Sequence, residues 1–314
     1  MSKKKKIIIF TSAGVLLFLV ICCVVLFFVA KSIYDGSFNY RCETSEENRF
    51  EISEFPNLKS ERHTFESNKG QTLVGYLYSG ANESFAGKGV VVFAHGMGGG
   101  GQIGYMDIFD FMVAHGYYVF AYDVTANDES EGDVMGGLPQ GFIDLDYAIS
   151  YAETLEEIKN LPFVLMGYSW GGLSVTNVLN YHPEVEAVVS LAGWNKSMDL
   201  IDYRGCQMVG SVAKLLLPFA SVYEYILYGE YASSTSMKGF EKSDAAIMIV
   251  HSEDDSTIPV RYGYEKYYKK YGGDERFEFK KFTDRNHDIL VNEDDTLDTA
   301  LMGEIVEFFN DSIK

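Results

Sequence analysis

Proline is scarce in this chain, six residues in 314, and cysteine is scarcer still at four. So few prolines beside 30 glycines exclude a collagen-like or proline-rich extended protein. The cysteines, Cys22, Cys23, Cys42 and Cys206, form no CxxC pair and no cluster with histidine. That argues against a structural zinc site and excludes a disulfide scaffold. Positive charge is also short: 26 Lys and Arg against 45 Asp and Glu leave a net charge of −19 and a pI near 4.7. This is the wrong sign for gripping phosphate backbones, so nucleic acid is not an expected partner. What the chain does have is apolar matter, 47% of residues, enough to bury a sizeable core.

That matter is distributed unevenly. Lys3, Lys4, Lys5 and Lys6 precede an uncharged run over 7–30, 24 residues that would span about 36 Å as a helix at ~1.5 Å per residue. A cleaved signal peptide usually has a shorter apolar core and a small-x-small end, which Phe28-Val29-Ala30 matches poorly. A lipid-modified Cys22 fits no better, because Ile21 stands where a small residue belongs and Cys22 lies in mid-span. The reading is an uncleaved anchor contacting the lipid bilayer. Basic flanks stay on the cytoplasmic side, so residues 1–6 are expected as a cytoplasmic tail, with everything after the span extracytoplasmic, at the cell surface. Residues 7–314 carry 22 basic and 45 acidic side chains, a charge of −23, and anionic headgroups should repel them. In an oxidising compartment Cys42 and Cys206 could pair; unpaired burial is the equal alternative.

Residues 31–47 are polar and read as a linker, and 48–314 as one domain. Short β-rich runs fall at 63–67, 72–79, 90–95, 117–123, 163–168, 185–191, 246–251 and 276–282. From the third onward most are continuously apolar, as in a parallel sheet covered on both faces. Helical periodicity fills 105–115, 141–160, 171–181 and 297–313, and Asn68-Lys69-Gly70-Gln71 joins the first two strands as a hairpin. The fold class is therefore α/β, with a mostly parallel sheet of eight strands.

Chemistry concentrates at Gly167-Tyr168-Ser169-Trp170-Gly171, where a buried strand runs directly into a helix. A serine on so sharp a turn has its Oγ lifted out of the sheet, and glycines are needed on both sides where a Cβ would clash. Here the chain resembles the α/β-hydrolase superfamily, in particular its serine-aminopeptidase/lysophospholipase-like branch. Further matches are the loop His95-Gly96-Met97-Gly98-Gly99 after the third strand and Asp123 followed by Ser130-Glu131-Gly132 after the fourth. Another is His251 to Pro259 after the seventh. The likeness covers about 60–314, and overall it is to membrane-anchored bacterial hydrolases.

The resemblance implies an α/β-hydrolase fold with a cap insertion at about 194–243, rich in aromatic residues and methionine. It implies Ser169 as nucleophile and a seventh-strand acid in Asp255-Ser256-Thr257-Ile258-Pro259, with Asp255 first and Asp254 second. It implies a base that follows the acid, which among six histidines leaves His287. The oxyanion hole would be the amides of Met97 and Trp170. No cofactor and no metal are implied. A competing G-x-G-x-x-G pattern spans 96–101 with Asp123 beyond it, but an antiparallel hairpin precedes this unit. The expected function is a serine esterase acting on a small-molecule acyl or lipid ester. The alternatives are an aminopeptidase or amidase of the same fold and a silent, tethered binding module.

Overall fold

The computed structural model describes residues 3–313, so Met1 and Ser2 of the expected tail lie outside the described residues. It opens with helix α1 (Lys3–Phe38), whose most apolar stretch has a mean hydropathy of 3.2 and is long enough to cross a membrane. Nothing in the sequence stops this helix at the end of the apolar run. It has no proline, and Lys31 pairs with Asp35 one turn on. The stretch read as a linker is therefore structured along much of its length. Ala30, Tyr34 and Phe38 recur at helical spacing and are buried. Beyond them, Arg41 donates to the carbonyls of Ser130 (2.7 Å) and Gly132 (3.1 Å), and Cys42 bridges to Asn127.

Eight strands follow: β1 (Leu58–Glu66), β2 (Thr72–Gly80), β3 (Gly89–Ala94), β4 (Tyr117–Tyr122), β5 (Phe163–Tyr168), β6 (Ala187–Leu191), β7 (Ala246–Ser252) and β8 (Phe277–Phe282). They form one sheet in the order β1-β2-β4-β3-β5-β6-β7-β8, antiparallel at β1/β2 and β2/β4 and parallel elsewhere. All eight expected strands are present, with β1 starting five residues early. β3 is buried along its whole length, which is why its sequence shows no alternation. The edges β1 and β8 carry charged side chains that discourage pairing with another chain.

Helices α2 (Met106–Ala114) and α9 (Thr299–Ser312) cover one face of the sheet. The other face carries α3 (Pro139–Ala152), α4 (Trp170–Asn177) and α8 (Tyr264–Tyr271). The first four correspond to the expected helices, α3 ending eight residues short. The tyrosines at 264, 267 and 271 make the unexpected α8 amphipathic. The cap consists of α5 (Ser197–Val209), α6 (Leu217–Tyr228) and α7 (Ser236–Lys242), and α6 packs on the end of α1. β3 lies between β4 and β5, so the chain reverses its direction of winding there. The crevice at the carboxyl ends of β3 and β5 is where such sheets hold ligands.

Candidate active site

Two loops meet in that crevice. After β5 the backbone turns through Ser169 at φ 56°, ψ −112°, and enters α4 at the next residue. Only glycine fits on either side. A Cβ on Gly167 would stand 2.3 Å from the Gly171 carbonyl oxygen, and one on Gly171 would stand 1.8 Å from that of Ala94. The Ser169 amide donates to Leu191 O at 2.8 Å, tying the turn to β6. Ser169 is thus held at the surface of the crevice in a backbone conformation that serine rarely adopts.

His287 arrives from the loop after β8. Its Nε2 lies 2.9 Å from Ser169 Oγ and its Nδ1 lies 2.8 Å from Asp255 Oδ2. The other Asp255 oxygen accepts from the amides of Thr257 (2.8 Å) and Ile258 (2.7 Å). Burial alone would raise the Asp255 carboxyl. Hydrogen bonds from His251 and His287 outweigh it and bring the group down to about 2, so it is ionised at any working pH.

Asp254 faces elsewhere. Its Oδ1 accepts from Ser252 Oγ (2.5 Å) and from the amide of Asn286 (2.9 Å). It braces the loop that carries His287 without touching the ring. Asn286 in turn accepts from the Ser256 amide at 3.0 Å, and Tyr168 donates to the His287 carbonyl at 3.1 Å. His251 also has a part that sequence elimination passed over. Fully buried in β7, it directs Nε2 toward Ile258 O (2.8 Å) and Asp255 Oδ2 (3.2 Å). A histidine four residues before the acid is the signal that could have found it.

The loop after β3 supplies the remaining wall. His95 is buried, its Nδ1 lies 2.7 Å from Gly96 O, and its Nε2 accepts from the Val124 amide at 3.0 Å. Those two bonds assign the proton to Nδ1 and fix the turn that presents Met97 beside Ser169. Among the described residues none accepts a hydrogen bond from the Met97 amide. Trp170 is the first residue of α4, where helix amides lack intrahelical partners, and its indole anchors the turn by donating to Leu138 O at 2.9 Å.

The glycine run 96–101 has a structural explanation. A Cβ on Gly100 would lie 2.0 Å from Thr44 Oγ1, and one on Gly101 would lie 1.9 Å from Asp123 Oδ1. The space a pyrophosphate would need is filled by the chain itself. Asp123, which burial raises to about 7, accepts from the amides of Gln102 (2.8 Å) and Glu129 (3.2 Å). Its own carbonyl accepts from Ser130 Oγ at 2.6 Å. The Asp123–Ser130 motif is thus a brace behind the Met97 loop.

Ser169 and His287 open into a cavity of about 400 Å³ whose walls come from α1, α5, the start of α6 and the Met97 loop. Its lining contains Arg204 but no Asp or Glu. Among the described residues one group has the spacing of metal ligands, Glu153, His182 and Glu184, on the far side of α4 from Ser169. Both nitrogens of His182 are engaged there by Glu184 (2.6 Å) and Asp146 (2.9 Å). Cys42 and Cys206 are unpaired, with Cys206 beside Asp202 on α5.

Residues 86–225 match the protein family described as serine aminopeptidase, S33. No curated protein matches the sequence. Among solved structures, an esterase of Pyrococcus furiosus superposes with a TM-score of 0.66 at 15% identity, over 87% of this chain and 99% of that one. The acylaminoacyl peptidase of Pyrococcus horikoshii gives 0.63 at 16% identity, over 84% of this chain and 43% of that one. Acetyl xylan esterase 1 of a Thermoanaerobacterium species gives 0.57 at 13%, over 87% and 97%. The chain thus has the α/β-hydrolase fold, and the match to the serine aminopeptidase, S33 family covers residues 86–225, less than half of its length.

Proposed function

We propose that the protein is a membrane-anchored esterase in which Ser169, His287 and Asp255 act as nucleophile, base and orienting acid. The observation that carries this reading is the unbroken chain of contacts from Asp255 through His287 to Ser169, at 2.8 and 2.9 Å, with Ser169 and His287 in the wall of an apolar cavity. A serine hydroxyl is a poor nucleophile until a base takes its proton. His287 Nε2 takes it as Oγ attacks the acyl carbonyl, and Asp255 holds the ring's tautomer and stabilises the imidazolium. The amides of Met97 and Trp170 receive the oxyanion. Collapse expels the alcohol with the proton from His287, and water then releases the acid from Ser169.

An ester of a lipid or small acyl group is favoured over an aminopeptidase substrate by the lining of the cavity. An exopeptidase that holds a free amino terminus needs a carboxylate near the scissile bond, and none lines this space. Residues 7–30 serve as the single-pass anchor, with the hydrolase body extracytoplasmic.

A fluorophosphonate probe should label the protein covalently. Ser169→Ala should abolish labelling while circular dichroism stays unchanged. Equal labelling of the variant would falsify the assignment.

A further inference from the structure

One wall of the cavity belongs to the helix that the anchor runs into. Ala30, Ile33, Tyr34, Ser37 and Phe38 of α1 line the same space as Ser169 and His287. The rim is apolar and open to solvent. Met208 and Val209 line the cavity while remaining 75% and 56% exposed, and Val212, Leu215, Val222 and Ile226 extend the apolar face at 54–64% exposure.

Two observations say what covers this face. The first is depth. Phe27 of the apolar run packs edge-on against Tyr223 of α6, centroids 6.1 Å apart. Phe27 lies three residues inside the end of that run, about 4–5 Å at ~1.5 Å per residue. α6 therefore stands beside the last apolar turn of the span, and a bilayer that receives the run also meets the outer face of α6. The second is charge. In a chain with 45 acidic residues, the 21 positions 203–223 include no Asp or Glu and only Arg204 and Lys214 as charges. The acidic body is repelled by anionic headgroups, but this stretch is not, and Lys214 is exposed where a lysine can reach the headgroup layer.

We infer that the α5–α6 rim sits in the near leaflet and that the substrate is a single-chain acyl amphiphile resident in the same bilayer. It enters the cavity between α1 and the cap. This rests on the esterase reading and deepens it. The cavity lies near the lower end of the ~300–1,000 Å³ range of ligand pockets, which suits one acyl chain. Its apolar walls take the chain, and the carbonyl comes to Ser169 at the inner end. The Oγ–acyl bond forms as the ester C–O bond breaks. The headgroup alcohol leaves with the proton from His287, and water releases the fatty acid.

The test uses full-length protein in vesicles of phosphatidylcholine and phosphatidylglycerol, with two substrates. One is a water-soluble butyrate ester and the other a long-chain monoacylglycerol embedded in the vesicles. Val212→Asp and Ile226→Asp alter exposed positions that do not line the cavity. Wild type should cleave both substrates. Each variant should lose on the order of ten-fold or more on the embedded substrate, the penalty of a charge at a lipid-facing position, and keep its rate on the soluble one. If an aspartate variant loses both activities, Val212→Ser and Ile226→Ser decide by the same ratio. An unchanged ratio in the variants overturns the inference. So does a wild type that cleaves the soluble ester and ignores the embedded lipid, which leaves the esterase reading standing. A wild type that cleaves neither overturns the esterase reading, and the inference falls with it.

Discussion

Ser169 keeps a φ of 56° because nothing around it can relax, with Gly167 packed on Gly171 and Gly171 on Ala94. Such a conformation costs about 1–3 kcal/mol, supplied by the packing of β5 and α4. Asp255 and Asp254 are adjacent, yet their surroundings separate them. Asp255 meets the imidazole, whereas Asp254 meets only Ser252 and the backbone of Asn286. Asp255→Asn should therefore lower kcat by on the order of 10⁴, as loss of the orienting carboxylate does in triads. Asp254→Asn, which keeps an oxygen for the same two donors, should leave kcat nearly unchanged. Steady-state kinetics on a soluble ester checks both, and the reverse ranking would move the role to Asp254. At this scale the turn around Ser169 has a local signature, and the family resemblance offered two neighbouring acids and one histidine; the structure brings Asp255 and His287 of these together with Ser169. The choice between the two aspartates depends on which carboxylate faces the ring. That is set by the amides of Thr257 and Ile258, which have no sequence signature.

Elements were legible where burial is uniform along them. The continuously apolar strands stand out from any neighbour, and the sheet follows the expected order of units. The continuation of α1 was hidden because Lys31, Asp35 and Ser37 dilute its pattern, and only the spacing of Ala30, Tyr34 and Phe38 gives it away. Burying two aromatic side chains contributes roughly 3–6 kcal/mol, far more than an exposed ion pair such as Lys31–Asp35, and that holds the helix end to the cap. The contact has a polar centre. Glu224 of α6 is buried, with Oε1 accepting from Tyr34 (2.7 Å) and from Ser197, and its Oε2 has no partner among the described residues. Burial raises Glu224 to about 7 against the two hydrogen bonds that lower it, and both donors are neutral hydroxyls. The folded state therefore binds this proton more tightly than the unfolded chain, whose carboxyl titrates near 4.5. The contribution is full below that value and is lost as pH rises through about 7. Tm should fall by several degrees between pH 5 and pH 8, relative to Glu224→Gln, which keeps the acceptor and cannot ionise. Parallel melting curves for the two proteins across that range would show the docking to be insensitive to this group.

For the whole molecule, the apolar run, the docked end of α1 and the cap rim lie along one seam, so the orientation of the helix decides where the site faces. Four lysines precede the run and only Lys31 follows closely. Basic flanks are retained in the cytoplasm, whereas a long following domain translocates largely regardless of its charge. The excess of 45 acidic over 22 basic residues in 7–314 therefore does not oppose export. In the proposed topology, the anchor and the apolar rim hold this acidic body at the surface. Protease added to intact cells, after removal of any wall, should degrade the hydrolase domain and spare a fragment of the N-terminal helix. The rim should slow cleavage within 203–223 relative to the exposed loop at 292–296, because bilayer contact shields the first and not the second. A domain that resists until the membrane is permeabilised would place the site in the cytoplasm, and with it the leaflet from which substrate is drawn.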